Sequence, residues 1–401
     1  MTRRHGRADL LARLHAPLVD RIFALATESP SVAVNEPRQR AAVLTLIARA
    51  FVDSGRRALV QHAGRLHAEA LRGLLGLLHA HPHLGWSIRT ASLVAFFDPV
   101  TSPDLLSIQQ LFSRPLRLAH LTLAIGFDHL VALADALECA GAAVQIAVLN
   151  LALESVTAKV SYEAATAAYA RLLAAIAPHL YELGLNLLDV RTNEAALPAG
   201  VALGRLPRLR RFAPKMVLPI DIACVIRAAD GPLELVGELT DDLVCALSPI
   251  DCRKIREAYL GHNDYFVWLT SAGWARLTDL RQLRITPHVD LLWSRADLAA
   301  LPPSLVSLRI GLAEEPGNEQ LCQDEEGQLS HQIVANWLDD RSWLPRLAEL
   351  DISAPTGEGE DDRVEFGVMA LREICVQRRI ALTFDGRSGA DLNGCAARDD
   401  D

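Results

Sequence analysis

Apolar residues recur along this chain in the order Leu-x-x-Leu-x-Leu, where x is any residue. The last two apolar residues of each copy lie two positions apart, so they share one face of a short strand, while the first anchors the preceding turn. Clear copies end at Leu123, Leu151, Leu185, Ile285, Ile310 and Ile352, and degenerate copies end at Leu93, Pro214, Leu260 and Phe384. One copy alone leaves its apolar face uncovered, so the pattern predicts stacked neighbours with a continuous core.

Between the strands, the apolar spacing changes to that of amphipathic helices. Residues 129–138 place Leu130, Leu133 and Leu137 on one face, and residues 161–176 begin at a capping serine and end before Pro178. Residues 330–338 repeat the plan. Because a helix intervenes between strands, neighbouring strands must pair in parallel.

This alternation resembles the leucine-rich repeat. The expected fold class is α/β: a leucine-rich-repeat solenoid with parallel strands on its concave side and helices outside, preceded by a small all-helical segment. About eight to ten irregular repeats span residues 67–386. We expect mobile loops at residues 314–327 and 356–362, which are acidic, and a disordered acidic tail at residues 387–401.

Composition narrows the possible partners and the compartment. The formal net charge of −9 argues against nucleic acid, because phosphate binding needs a basic surface. The 7 cysteines are scattered without a Cys-x-x-Cys pair, which favours a reducing compartment over disulfides or zinc. We find no secretory signal and no apolar run of the ~20 residues that a membrane helix needs. The sequence thus predicts an intracellular protein, in cytoplasm or nucleus, that contacts no membrane.

The N-terminal segment, residues 9–66, has a different pattern. It predicts one helix with a stripe through Leu14, Leu18 and Ile22, and a second with Leu44, Ile47 and Phe51 on one face. The runs Leu18-Val19-Asp20-Arg21-Ile22-Phe23 and Leu44-Thr45-Leu46-Ile47-Ala48-Arg49-Ala50-Phe51 resemble the two conserved patterns of the F-box. The whole chain, with repeats following this segment, is similar to fungal F-box/leucine-rich-repeat proteins. The family usually opens with a leucine followed by a proline, whereas this chain has Leu14-His15 and then Pro17. The two patterns are separated by about twenty residues, which is longer than the usual link.

The F-box resemblance implies a role in ubiquitin transfer. The N-terminal helices would bind a Skp-type adaptor, which binds a cullin, and the repeats would hold a protein substrate. The residues implied in adaptor binding are Leu14, Leu18, Ile22, Phe23, Leu44, Ile47 and Phe51. The alternative is a free-standing repeat protein, a scaffold or inhibitor, in which residues 9–66 only cap the solenoid.

Other residue clusters are weaker signals. His79, His81 and His83 are two positions apart, so on a regular strand they would share one face and could bind a metal ion. Pro82 disrupts a regular strand, so a helix-to-strand connector is favoured over a metal site. The basic residues between Arg205 and Lys215 form either a solvated face or a patch for an acidic partner. No hydrolase, phosphate-loop, metalloprotease or dinucleotide motif occurs, so we expect no catalytic residues, no metal, no cofactor and no enzymatic activity.

The substrate site is predicted from the residues between the apolar positions of each copy. If the leucines face the core, these residues point to the concave side. Charge concentrates in the later copies, and tyrosine and arginine are favoured in binding hot spots. The predicted substrate-binding residues are Tyr259, Gln282, Arg284, Ser307, Arg309, Glu349 and Asp351.

Overall fold

The computed structural model divides the chain into two compact units, Met1–Arg208 and Leu209–Asp401. It describes residues 57, 60–95, 104–154, 160–186, 188–189, 194–195, 202–215, 217–237, 239–260, 269–285, 300–310, 331–352, 362–384 and 387–388. The seven residues expected to bind an adaptor lie outside these ranges, as do most of the two predicted acidic loops. Their roles therefore stay predictions.

The first unit is built from strands that alternate with helices. Its elements are β1 His62–Leu66, α1 Ala68–Ala80, β2 Thr90–Ala95, α2 Leu105–Phe112, β3 Leu116–Gly126, α3 Phe127–Ala140, β4 Val144–Glu154, α4 Tyr162–Ile176 and β5 Glu182–Asn186, followed by the short antiparallel pair β6 Leu188–Asp189 and β7 Glu194–Ala195. The strands β1 to β5 pair in parallel, each with the next in the chain. Each of these strands therefore belongs to one repeat and pairs with the strands of the neighbouring repeats.

The second unit continues the same plan with shorter strands. Its elements are β8 Arg211–Lys215, α5 Pro219–Ala228, β9 Leu233–Val236, α6 Asp241–Ala246, α7 Pro249–Cys252, β10 Ile255–Leu260, α8 Ser271–Arg276, β11 Gln282–Ile285, β12 Ser307–Ile310, α9 His331–Asp339, β13 Glu349–Ile352, α10 Asp362–Arg378, β14 Ala381–Phe384 and β15 Arg387–Ser388. Strands β8 to β14 pair in parallel in chain order, and β15 pairs antiparallel with β14.

The core lies between these strands and their helices. In the motif that ends at Ile310, Leu305, Leu308 and Ile310 are all buried, and the same holds for Leu347, Leu350 and Ile352. The turn before each strand is fixed by the backbone: Val306 N–H donates to the Arg281 carbonyl at 2.8 Å, and Ala348 N–H donates to the Val306 carbonyl at 2.8 Å. Burial and hydrogen bonding thus repeat together, and the α/β leucine-rich-repeat solenoid predicted from the sequence is the observed fold.

The predicted helices are confirmed with small shifts at their ends. Residues 129–138 fall within α3, and residues 161–176 correspond to α4, where the Ser161 hydroxyl accepts a hydrogen bond from Ala164 N–H at 3.3 Å. Residues 330–338 correspond to α9, with Val334 and Leu338 buried. None of the described helices is long and apolar enough to cross a membrane.

Three strands depart from the sequence-based expectations. Strand β1 lies inside residues 9–66, a segment for which only helices were predicted, and β9 lies in the longest gap between predicted strands. Strand β15 occupies the first two residues of the segment 387–401, which was predicted to be disordered. With β1 and β9, the described parallel strands of the two units outnumber the expected eight to ten.

Arginine side chains join successive repeats at the helix ends. Arg114 donates to the Leu78 carbonyl at 3.0 Å, and Arg276 donates to the Leu247 carbonyl at 2.7 Å. Arg378 donates to the carbonyls of Leu338, Trp343 and Leu344 at 2.8, 3.1 and 2.7 Å. The last carbonyls of a helix have no partner within it, and Leu78 and Leu338 lie in the last turns of α1 and α9, so Arg114 and Arg378 satisfy helix-end carbonyls.

Candidate functional site

The side chains of the candidate site are exposed by the alternation of the strands β10 to β14. In β11, Leu283 and Ile285 are buried while Gln282 and Arg284 are exposed. The same alternation in β12 and β13 places Ser307, Arg309, Glu349 and Asp351 opposite the buried residues. We call this side of β10 to β14 the open face of the second unit.

The parallel register aligns these side chains in two rows across the strands. One row runs through Glu257, Gln282, Ser307, Glu349 and Ala381, and the other through Tyr259, Arg284, Arg309, Asp351 and Thr383. Neighbouring strands lie about 4.8 Å apart, so side chains adjacent in a row are within contact distance. The rows bring together residues that are far apart in the sequence.

A groove of about 360 Å³ lies along these rows. It is lined by Tyr259, Gln282, Leu283, Arg284, Ser307, Arg309, Glu349, Leu350, Asp351, Ala381 and Thr383. All seven residues proposed from the sequence as substrate-binding therefore line one groove, although the structure does not test whether a substrate binds them. Sequence reasoning missed Ala381 and Thr383, which precede the degenerate position Phe384; the alternation around Phe384 was the signal that points to them.

Two of the charged side chains that line the groove form an ion pair with each other. The Arg309 Nε lies 3.1 Å from an Asp351 carboxylate oxygen, so these two charges balance each other. The Arg284 guanidinium lies over the Tyr259 ring, 5.8 Å from its centroid. Neither Arg284 nor Glu349 forms an ion pair with a residue that the structure describes. The groove thus offers one cationic and one anionic group to a partner.

In the first unit, the strand positions equivalent to one of these rows carry smaller side chains. Thr122, Asn150 and Gly184 lie in register on β3, β4 and β5. A Cβ added at Gly184 would meet the side-chain oxygen of Asn150, so the Asn150 amide occupies the space above the glycine. This row has hydrogen-bonding groups but no charge.

The structure also shows the surroundings of the basic cluster and of the histidines. Arg211 lies 3.2 Å from a Glu234 carboxylate oxygen, so part of the cluster between Arg205 and Lys215 is paired within the protein. His81 ends α1, and His83 lies in the 3-10 turn that leads to β2, as expected of a connector. Among the described residues, no three histidine, cysteine or carboxylate side chains are grouped closely enough to hold a metal ion.

Solved structures similar to this chain include one of weak likeness. A crystal structure of the Rad7 and Elc1 complex in yeast is similar over 86% of this chain and 90% of that chain, with 13% sequence identity and a TM-score of 0.27. No protein-family model and no curated protein matches the chain. The fold assignment rests on the repeated strands and helices described above.

Proposed function

We propose that this protein is the substrate-recognition subunit of a Skp-cullin-F-box type ubiquitin ligase. The observation that carries its binding role is the groove on the open face, where seven side chains from four strands line one surface. Several strands of a repeat array can present side chains to one partner, which suits protein recognition. In this proposal the chain itself catalyses nothing.

The adaptor-binding half of the proposal is supported by the sequence resemblance alone. Leu18–Phe23 and Leu44–Phe51 match the two F-box patterns in type and order. The N-terminal helices would then bind a Skp-type adaptor and, through it, a cullin. The groove would hold the substrate, an unidentified protein, for ubiquitin transfer.

A free-standing repeat protein is the second candidate, and β1 favours it. This strand pairs in parallel with β2, and Val60, just before it, is buried with 3% of its surface exposed. The end of the N-terminal segment is therefore part of the repeat sheet, as expected of a cap. Caps shield the apolar end of a solenoid without binding a partner.

Binding of a purified Skp-type adaptor distinguishes the two candidates. We expect the full-length protein to bind the adaptor at micromolar concentration, and a variant lacking residues 1–56 to lose this binding. Deletion through residue 66 would be a poor test, because it removes β1 from the sheet. Circular dichroism of the shorter deletion serves as the control for folding. A full-length protein that does not bind the adaptor supports the cap.

A further inference from the structure

We propose that Arg284 anchors an anionic side chain of an extended partner segment in the groove. The anion is a carboxylate of aspartate or glutamate, or a phosphate on a serine or threonine, since both offer paired oxygens to a guanidinium. This inference rests on the proposed binding of a protein substrate and adds the chemistry of recognition.

Arg284 is oriented by Tyr259 and forms no ion pair with a residue that the structure describes. Arg284 and Tyr259 are in register on adjacent strands, and the guanidinium lies 5.8 Å from the ring centroid. A cation held over an aromatic ring loses less rotamer freedom when it binds a ligand. Its five N–H donors meet no carboxylate among the described residues, so they are available to an anion.

Arg309 places a second positive charge beside Arg284. Arg284 and Arg309 are in register on β11 and β12, and like charges directly opposite on adjacent strands repel each other. Asp351 balances the charge of Arg309 from the far side. An anion bound at Arg284 would reduce the remaining repulsion between Arg284 and Arg309. This reduction favours binding of the anion. Arg309 is a positioning residue here.

Glu349 offers a group of opposite charge to the same partner segment. Glu349 is exposed on β13, two strands from Arg284, and forms no ion pair with a described residue. Two strand spacings across and two residues along the strand amount to about 12 Å, because Glu349 lies in the other row, and an extended peptide covers this distance in three to four residues. A segment crossing the strands would therefore carry a basic residue about three or four positions from its acidic one.

Oriented peptide libraries test this proposal. Full-length protein is immobilised and exposed to peptide pools with one fixed central residue, which is aspartate, phosphoserine, serine or lysine, and random flanking residues. We expect the aspartate pool, the phosphoserine pool or both to be retained about tenfold better than the serine and lysine pools. The bound fraction should be enriched in lysine or arginine about three or four positions from the centre. Comparing the aspartate and phosphoserine pools identifies the source of the anion.

Variants link this preference to the groove. Arg284→Glu should reverse it in favour of lysine, whereas Arg281→Glu, the same change on an exposed residue just before β11 and outside the groove lining, should leave it intact. Tyr259→Phe should retain the preference, and Tyr259→Leu should weaken it because the ring is lost. If Arg284→Glu does not fold by circular dichroism, Arg284→Gln replaces it and should abolish the preference.

Two results overturn the proposal: equal retention of all four pools by the wild-type protein, or an unchanged preference after Arg284 is replaced. Adaptor binding by the same protein preparation is a separate measurement. If the anion preference is absent but the adaptor binds, only the proposed anion site is refuted. If the anion preference is present but the adaptor does not bind, only the proposed ligase role is refuted.

Discussion

At the scale of single residues, the thiol of Cys375 is the group most altered by its surroundings among those described. It lies in α10 with 1% of its surface exposed, and burial raises its pKa from 9.0 to about 11. Cys139, by contrast, is exposed. The two thiols therefore differ in access, and access controls reaction with alkylating reagents.

Cys375 should make the protein less stable at alkaline pH. The folded state keeps the thiol protonated, so its contribution to stability is complete below pH 9 and is lost as the pH rises towards about 11. The loss amounts to about 2–3 kcal/mol of unfolding free energy. Urea unfolding at several pH values should show a shallower alkaline decline for Cys375→Ala than for the wild type. Cys139→Ala is the matched control, and equal declines in the two variants would contradict the assignment.

At the scale of secondary-structure elements, Arg378 joins the end of α10 to the turn after α9. Its guanidinium donates to three backbone carbonyls, and Leu344, one of the acceptors, has a φ of 45°. That φ lies in the left-handed region, which is costly for leucine, so the turn needs external hydrogen bonds to persist. Arg378 supplies them.

Replacing Arg378 by methionine should destabilise the protein by about 3 kcal/mol, because three carbonyls lose a charged donor. Thermal unfolding measured by calorimetry gives the change. Arg379→Met is the control: it makes the same substitution at the next residue, whose side chain is exposed. Similar losses in both variants would show that the hydrogen bonds of Arg378 are not the cause.

The strands β1 and β9 were not predicted from the sequence, and their residues explain why. In β9 the register pairs Leu235 with Phe212 and Ala258, the middle apolar positions of the neighbouring copies. The last position of this copy is therefore Gly237, and a search for an apolar residue there passes over the strand. Among the side chains of β1 that the structure describes, Ala63 and Leu66 are buried, and they lie three positions apart rather than the two expected for one face of a strand. Strong copies such as Leu305–Ile310 were predicted correctly because each apolar position is buried.

The candidate groove was predictable in its members but not in its charges. Strand alternation identified which side chains share the open face, and equivalent positions of successive copies are in register. The sequence did not distinguish Arg309, which pairs with Asp351, from Arg284, which lies over Tyr259. Both arginines occupy equivalent motif positions, and only the side-chain geometry separates their roles.

At the scale of the whole molecule, each repeat depends on its neighbours in the chain. Leu308 is 1% exposed in β12, between β11 and β13. Leu308→Ala should cost about 2–5 kcal/mol through the cavity it leaves. Because repeat arrays transmit stability through neighbouring interfaces, hydrogen exchange should accelerate most in β11 to β13 and least in β3 and β4. Uniform acceleration in both units would instead indicate a single cooperative fold.

The short strand β15 has a consequence for self-association. A parallel array ends in a strand whose free N–H and C=O groups can recruit a strand from another molecule, which is a route to fibrils. Residues Arg387 and Ser388 pair antiparallel with Phe384 and Thr383, occupying half of β14 and placing a charged side chain at that margin. The two residues of β15 thereby hinder edge-to-edge polymerisation through β14.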